Sequence, residues 1–556
     1  MKIFPLYRRF NILVLAFWIF GCLAVAQVEN VPVDNQVYEF LDRMGVKGIL
    51  PLYNNTMIPL SRQEVADDLV AVGKQKDRLS EAEQQFLEKF TQEFMHEIHP
   101  SQEDPALLFN GDGLDGLFSQ KEKYLYRYVD SNVTSYVNFF GSIDYRGISG
   151  DTYGSTHDSF GQIGGRIRGT VSDKLGYYLE GTNGALRGDR NFALSDPRLR
   201  GNFNFNNLNS QFFDFTQAYL RMNFNWISVQ FGRENTMVGT GYSDRLLLSD
   251  NAPVTDFLKI EVHYKSLRFL SLHASLVQDS ALFAGTLMQE PPGSNKYLAL
   301  HRLQLGLFDK LNLGVSEMII YQRFSPEFGY LNPISFYKSV EHSLGDRDNA
   351  FLAFDAEVFP FPRYKFYGTW LIDDIDFSKL GTPWWGNEFG FQAGLINTDL
   401  AGIANLDGIV EYTRIDPYVY SNRVAGNGYT NDNIGLGNQL QPNSDQWFFQ
   451  LQYRPAKQLR TWLTYMLMRH GDNVVVDGQV VKNVGGNVLE GHRDTDSENV
   501  TFLDGVLTKQ HTVQLRAAYE FITDYIVTGI YEYRNRVTSS TNYIDNYASL
   551  QVQVEF

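Results

Sequence analysis

From about Tyr124 to its last residue, the chain consists of segments in which apolar and polar residues alternate. Leu303, Leu305 and Leu307, for example, alternate with polar or small neighbours. Because successive side chains of a strand point to opposite faces, this period of two indicates β-strands with one apolar face. A soluble β-sandwich has the same period, so the period alone does not decide the architecture.

The lengths of the connections between these segments distinguish a membrane barrel from a soluble sandwich better than the period does. Very short turns join several strand pairs, and long polar segments rich in Gly and Asn separate the resulting hairpins. The pattern predicts about eighteen strands whose short and long connections strictly alternate, which is typical of an outer-membrane β-barrel. The predicted short turns are 172–174, 223–225, 265–266, 309–310, 362–363 and 523–524, and the predicted long loops are 184–210, 235–256, 322–349, 415–445 and 469–509.

Both ends of the chain favour export to the outer membrane. Basic residues precede an apolar run at 10–23, and Ala24-Val25-Ala26 supplies the small-x-small cleavage pattern of a secretory signal peptide. A lipoprotein signal acylated at Cys22 is the alternative. The last strand alternates up to the terminal Phe556, which resembles the assembly signature of outer-membrane barrels. We therefore expect an outer-membrane protein with both barrel termini in the periplasm.

Between the signal peptide and the barrel, the apolar residues follow a helical period. Ser61 with Glu64, and Ser80 with Glu83, form capping boxes that each open a predicted helix. Phe residues at helical spacing after the second box indicate a helix-packing core. The predicted domains are a signal peptide (1–26), a small periplasmic α-helical domain (27–120) and an all-β transmembrane barrel of antiparallel strands (121–556).

Charge and motif content exclude several classes of function. The formal net charge of −16 argues against nucleic acid as a partner. Cleavage after Ala26 removes Cys22, the only cysteine, which excludes disulfides and thiolate chemistry. His-Glu-x-x-His, Gly-x-Ser-x-Gly and Walker-type motifs are absent from the sequence. His96 and His99 are interpreted as solvated residues at a helix end, so we expect no metal site, no cofactor and no catalysis.

Several loop segments carry charged and aromatic residues at unusual density. The Gly-Arg-Glu opening at 232–234, the Leu-Leu-Ser-Asp-Asn-Ala-Pro run at 247–253 and the Tyr-Leu-Asn-Pro segment at 330–333 stand out. Together they resemble the Wzi family of capsule-assembly outer-membrane proteins, in the form found in Bacteroidetes-like bacteria. The resemblance covers most of the barrel. It implies an eighteen-strand barrel with periplasmic helices that binds capsular or another surface polysaccharide and anchors or organises it at the cell surface.

The same loops supply the side chains that sugar recognition needs. Aromatic faces contact the C–H surface of a sugar, and planar amide, carboxylate or guanidinium groups bind its hydroxyls. Arginines would also neutralise an acidic polymer. The alternative is that these charges simply pair with one another, and that Tyr418, Tyr420, Trp384 and Trp385 form an interfacial girdle. The candidate ligand-binding residues are Arg233, Glu234, Tyr242, Arg245, Asp250, Asn251, Asn332, Glu341, Arg347, Asp348, Asp373, Glu411 and Arg414.

Two other functions stay open at the level of sequence. A barrel of this size is wide enough for an aqueous lumen, which permits a general or glycan-uptake porin unless the helices, the segment 397–405 or the long loops fill it. An outer-membrane hydrolase would use Asp373, Asp374 and Glu341 as paired acids. In each case outer-membrane lipid is an expected partner, and the helical domain offers a surface for periplasmic envelope proteins.

Overall fold

Eighteen antiparallel strands form a closed barrel in the computed structural model, which describes residues 27–109, 111–202, 205, 210–279, 288–289 and 294–556. The predicted signal peptide and the alternative acylation at Cys22 lie outside these residues. β18 pairs with β1 and closes the barrel. The strands are β1 (Thr134–Gly150), β2 (Gly154–Val171), β3 (Leu175–Gly188), β4 (Phe212–Phe224), β5 (Ile227–Glu234), β6 (Thr255–Tyr264), β7 (Leu267–Leu276), β8 (Asn295–Leu307), β9 (Leu311–Arg323), β10 (Asn349–Val358), β11 (Tyr364–Asp374), β12 (Glu388–Asn397), β13 (Leu406–Ile415), β14 (Ser444–Ala456), β15 (Leu459–Asp472), β16 (Val506–Ile522), β17 (Tyr525–Val537) and β18 (Asn542–Glu555).

The connections at the two ends of the barrel differ in length. We call the end that carries both barrel termini the turn end, and the opposite end the loop end. At the turn end, Ser172 and Asp173 have φ values of 51° and 56°, the left-handed backbone of tight hairpin turns whose twist matches the flanking strands. The predicted turn at 223–225 lies at 225–226 because β4 continues through Phe224.

The predicted strict alternation of short and long connections is wrong at two hairpins. The loop-end connections 151–153 and 538–541 are short, and both lie beside the β1–β18 closure. Asp545, on β18, accepts hydrogen bonds from the Thr152 amide at 3.0 Å and from the Thr152 hydroxyl at 2.5 Å. These contacts tie the short hairpins to each other across the seam.

Within the described residues, four α-helices precede the barrel: α1 (Val37–Val46), α2 (Arg62–Gly73), α3 (Glu81–Glu93) and α4 (Met95–Ile98). The loop-end connections carry the short helices α5 (Arg190–Ala193), α6 (Pro197–Arg200), α7 (Phe328–Leu331) and α8 (Tyr337–Ser343). Both predicted capping boxes are present, and the Phe residues of α3 pack in the shared core of these helices. The interpretation of His96 as solvated is wrong, because its buried ring lies 2.9 Å from the Glu103 carboxylate. No helix in the described part of the chain has the length and apolar character needed to cross a membrane.

The helices close the turn end of the barrel through charged contacts. Arg43 on α1 bonds to Asp399 at 2.5 Å, in the connection between β12 and β13. Lys89 on α3 lies 2.7 Å from Glu520 on β16. The segment 397–405, predicted to fill the lumen, serves here as a docking point for α1.

Chain from the loop end fills part of the lumen. The connection 235–254 folds inward, and Val238, Leu246 and Leu247 pack in an apolar cluster against inward-facing residues of β7 to β13. This segment meets the N-terminal segment inside the barrel, where Met57 pairs with Val238 in a short antiparallel ladder. The segment between α1 and α2 and the loop-end connection 235–254 therefore meet inside the lumen.

Candidate functional site

A cleft opens at the loop end of the barrel. Its walls come from α8 (Tyr337–Ser343), from the rims of β10, β11 and β12, and from the loops 416–443 and 473–505. The strands supplying the rim are neighbours in the barrel, so residues far apart in sequence meet here. Its charged and aromatic lining residues are Lys338, Glu341, Asp346, Arg347, Asp348, Asp373, Asp374, Trp385, Glu388, Arg423 and His492.

Packing against the outer barrel wall holds α8 in place. The Tyr337 ring stacks on His301 of β8 at 4.2 Å, and the Tyr337 amide donates to Glu317 of β9 at 3.1 Å. Tyr330, in the short helix α7 (Phe328–Leu331), packs on Tyr321 at 4.9 Å. These contacts anchor one face of α8 and leave its charged face on the cleft.

An aromatic stack forms one wall of the cleft. Trp385 lies parallel to the His492 ring at 3.8 Å and 5°, and Tyr418 meets the Trp385 edge at 5.6 Å. The Trp385 amide donates to the Glu498 carbonyl at 3.1 Å, which joins the loop after β11 to the loop after β15. The Arg423 guanidinium lies 5.8 Å from the Trp385 ring. A planar aromatic surface is therefore fixed beside charged hydrogen-bonding groups.

Ion pairs organise the opposite wall. Glu341 is buried, and its carboxylate lies 2.7 Å from the Lys338 ammonium. Burial raises the pKa of Glu341 to about 7, although the neighbouring Lys338 acts in the opposite direction. Asp348 accepts hydrogen bonds from Arg323 at 2.9 Å and from the Tyr330 hydroxyl at 2.8 Å. This wall is held in one geometry before any ligand arrives.

Within the described residues, one group of three acidic or histidine side chains has ligand atoms close enough together to hold a metal ion. Ligand atoms of Glu341, His342 and Asp346 lie within 4.8 Å of one another. The Lys338 ammonium lies 2.7 Å from Glu341 and 3.5 Å from Asp346, so a positive charge already occupies this group.

The structure brings four of the predicted ligand-binding residues together in the cleft. These are Glu341, Arg347, Asp348 and Asp373, which come from the loop after β9 and from the end of β11. The Asp373 carboxylate accepts a hydrogen bond from the Tyr420 amide at 2.5 Å. Ligand binding by these residues stays a prediction.

A second group of predicted residues lies within the lumen. Glu411, which faces inward on β13, accepts hydrogen bonds from the Tyr242 amide and the Tyr367 hydroxyl, each at 2.7 Å. Arg245 is buried and donates to the Asn55 carbonyl at 2.9 Å. Asn251 donates to Asp244 at 2.7 Å. These contacts fix the inward-folded segment.

The other predicted residues are dispersed over the barrel. Arg233 and Arg414 pair with the nearby carboxylates Asp256, at 2.6 Å, and Asp416, at 2.7 Å. Glu234 is buried and accepts a hydrogen bond from Asn30 of the N-terminal segment at 2.8 Å. Asp250 and Asn332 are exposed in loops.

The aromatic and basic groups that complete the cleft were missed from the sequence. The interfacial-girdle interpretation is wrong for Tyr418 and Tyr420, which are only 1% and 2% exposed inside the loop-end structure. The same interpretation is wrong for Trp385, because Trp385 lines the cleft. The adjacent Trp-Trp pair was a usable signal, whereas a single His492 in a long loop offered none.

Comparison with known proteins gives the family. Residues 135–542 match the family model described as capsule assembly protein Wzi. The solved structure of Wzi from Escherichia coli, an outer-membrane protein involved in group 1 capsule assembly and described as a carbohydrate-binding β-barrel, aligns with 96% of this chain and 99% of its own. The TM-score is 0.58 and the sequence identity 14%.

More distant barrels share less of the fold. Pseudomonas aeruginosa OpdQ covers 77% of this chain and 99% of its own, with a TM-score of 0.43 and 10% identity. P. aeruginosa OpdK, solved with vanillate, covers 76% and 99%, with a TM-score of 0.43 and 8% identity. No curated protein sequence matches the chain. Because the family model spans most of the barrel, this chain belongs to the Wzi family of capsule assembly proteins.

Proposed function

We propose that this protein binds capsular or another surface polysaccharide in the loop-end cleft and helps attach or organise it at the cell surface. The protein is an outer-membrane β-barrel with both barrel termini on the periplasmic side. The loop end therefore faces the cell exterior, where surface polymer lies. Membership of a capsule assembly family and the described carbohydrate binding of E. coli Wzi support the choice of ligand.

The observation that carries this proposal is the Trp385–His492 stack beside a charged wall. A flat ring offers its face to the C–H surface of a sugar, while carboxylates and guanidinium groups bind the hydroxyls around the ring. The cleft supplies both elements on one surface. Its packed walls reduce the ordering cost that weakens binding by flexible loops.

We further propose that the protein acts without cleaving its ligand. A hydrolase needs two carboxyl groups at a fixed separation with distinct protonation roles. Of the candidate acids, Glu341 lies 2.7 Å from the Lys338 ammonium, and Asp373 accepts a hydrogen bond from a backbone amide. A constant polymer length after long incubation with purified protein is the expected result, and shortening of the polymer would contradict it.

Lipid and periplasmic proteins are the remaining proposed partners. Outward-facing side chains such as Phe231, Leu303 and Leu550 are largely exposed on the barrel wall, as expected of a lipid-contacting surface. The helical domain presents charged residues at the turn end, including Lys76 and Glu88. That charged face offers a contact surface for periplasmic envelope proteins.

The test combines cells and purified protein. Deletion of the gene is expected to move surface polysaccharide from the cells into the medium at unchanged total amount. In a pull-down with the host's own polymer, Trp385→Ala is expected to reduce affinity about thirtyfold, because truncating an aromatic anchor in a packed site costs about 2 kcal/mol.

The matched control is Trp226→Ala. Trp226 is exposed at the turn end of the barrel, far in the topology from the cleft, so its truncation is expected to leave polymer binding unchanged. An unchanged distribution of polymer in the deletion strain, or full binding by Trp385→Ala, would contradict the proposed role.

A further inference from the structure

The connection between β9 and β10 lies against the outside of the barrel. Its side chains Tyr330 and Tyr337 form one apolar cluster with Ala299 of β8 and Ile319 of β9, which are fully buried. The next residue along β9, Ile320, packs in the lumen cluster, so Ile319 points outward. We call residues 324–337 of this connection the outer-wall segment.

The wall under the outer-wall segment lies at a height that is exposed elsewhere on the barrel. Ala299 and Ile319 are cross-strand partners, and each lies eight residues from the turn-end limit of its strand. Trp447 lies nine residues from the turn-end limit of β14, and its outward side chain is 42% exposed. Because a transmembrane strand crosses the hydrocarbon core in about 9–11 residues, the covered wall belongs to the membrane span.

An ionisable pair on the same wall shows what the cover achieves. His301 and Glu317 are cross-strand partners whose side-chain atoms lie 2.7 Å apart, six residues from the turn-end limits of their strands. The Tyr337 ring stacks on His301 at 4.2 Å, and the Tyr337 amide donates to Glu317. Ionisable groups are costly in contact with hydrocarbon. The connection therefore shields this pair from lipid.

The free face of the outer-wall segment is apolar. Phe328 and Ile334 are 85% and 86% exposed, and Phe324 and Phe336 are also exposed. Glu327 is the only charged residue of the segment. The rest of the connection is different, since residues 338–348 carry several charged side chains and line the cleft. Contact with water is unfavourable for such a concentration of large apolar side chains, which marks an interaction surface.

We propose that the outer-wall segment is immersed in the outer leaflet of the outer membrane, with its exposed apolar side chains against lipid acyl chains. The protein is an outer-membrane barrel, so its outward wall faces lipid. Leu303 and Val315, next to the covered wall on the turn-end side, are exposed and form part of that surface. The lipid-facing surface thus continues from the strands onto the segment, whereas a soluble partner would have to enter the membrane to reach it.

The immersed segment leads directly into one wall of the cleft. Tyr337 is the first residue of α8, and the next residue, Lys338, lines the cleft together with Glu341. Lipid on one side and the barrel wall on the other then hold α8 in position. This inference goes beyond polysaccharide binding, because the immersion does not depend on any ligand of the cleft.

Site-directed spin labelling measures the depth of the segment directly. Cleavage after Ala26 leaves no native cysteine, so Phe328→Cys and Ile334→Cys each carry a single label. In nanodiscs of palmitoyl-oleoyl-phosphatidylcholine, oxygen concentrates in the hydrocarbon and a water-soluble nickel chelate stays outside. We expect oxygen to relax both labels at least threefold more strongly than the chelate does. Both parent side chains are largely exposed, so the substitutions preserve the packing of the connection.

Two reference variants calibrate the measurement. Leu303→Cys labels the barrel wall and should report hydrocarbon, whereas Val476→Cys labels an exposed residue in the loop-end hairpin 474–482 and should report water. The inference requires both test labels to follow Leu303→Cys. Accessibility to the chelate like that of Val476→Cys, at either position, would overturn it. Low accessibility to both reagents would identify a protein contact, such as a second copy of this chain, and would also overturn the assignment to lipid.

Discussion

Removing Arg43 is expected to release the helical domain from the barrel. Arg43 is buried where α1 meets the β12–β13 connection and the start of β13. Its guanidinium bonds to Glu83 at 3.0 Å, to Asp399 at 2.5 Å and to Asp407. One side chain therefore joins two helices to two parts of the barrel, and Arg43→Met removes the charge while keeping much of the apolar stem.

The free-energy cost of Arg43→Met depends on which cationic partners the three carboxylates keep. Removing one member of a buried ion pair costs about 3–5 kcal/mol because the partner charges stay buried. Lys47 remains 2.7 Å from Glu83 and 3.3 Å from Asp399, and Arg454 remains 2.6 Å from Asp407. These residual partners place the cost near the lower limit, about 3 kcal/mol, which is about a hundredfold in the equilibrium between docked and undocked helices.

Hydrogen exchange on the protein in detergent measures this equilibrium directly. Amides of α1 and α3 should exchange about a hundredfold faster in Arg43→Met if they exchange through undocking, while barrel amides keep their protection. Arg78→Met is the control, since Arg78 is exposed and, among the described residues, donates its hydrogen bonds to Gln75 and the Gly48 carbonyl of its own domain. Unchanged exchange in α1 and α3 would refute the assignment of Arg43 as the anchor of the helical domain.

Two further predictions concern pH and the lumen. Because burial raises the pKa of Glu341 from 4.5 to about 7, the docked α8 holds a proton that the undocked segment releases. Docking of α8 should therefore weaken as pH rises from about 4.5 to 7, so proteolysis of the loop 324–348 should become faster over this range. In Glu341→Gln the rate of proteolysis should depend less on pH. Val238→Asp places an unpaired charge in the apolar lumen cluster, so planar-bilayer conductance should rise above wild type. The first expectation is contradicted if Glu341→Gln and wild type show the same pH dependence of proteolysis. The second is contradicted if Val238→Asp and wild type show the same conductance.

The barrel could be predicted because its evidence is periodic and repeated. Each strand contributes the same alternation of inward and outward residues, and turns such as 265–266 fix the register of each hairpin. The short loop-end hairpins could not be predicted in the same way. Nothing local in 151–153 or 538–541 tells which end of the barrel a short turn occupies, since that depends on the contacts of Asp545 across the closure.

The cleft could be predicted only in part, because the composition of a loop does not determine the direction in which the loop folds. Residues 235–254 and 330–349 both contain charged and aromatic side chains. The first folds into the lumen, where the Tyr242 amide donates a hydrogen bond to Glu411. The second packs α8 against the outer wall through Tyr337. Only the second contributes to the cleft. Which loop does so is decided by tertiary packing among strands that are distant in sequence.

The contents of the lumen favour binding over transport. The segment from the helical domain and the segment from the loop end form one hydrogen-bonded unit, with Met57 paired to Val238 and Arg245 donating to the Asn55 carbonyl at 2.9 Å. Opening a path for a polymer would break this ladder and expose the apolar cluster around Leu247 to water. The cleft needs no such rearrangement, because it is open at the loop end while both fillers stay in place. Holding a polymer at the surface therefore costs this fold less than passing one through it.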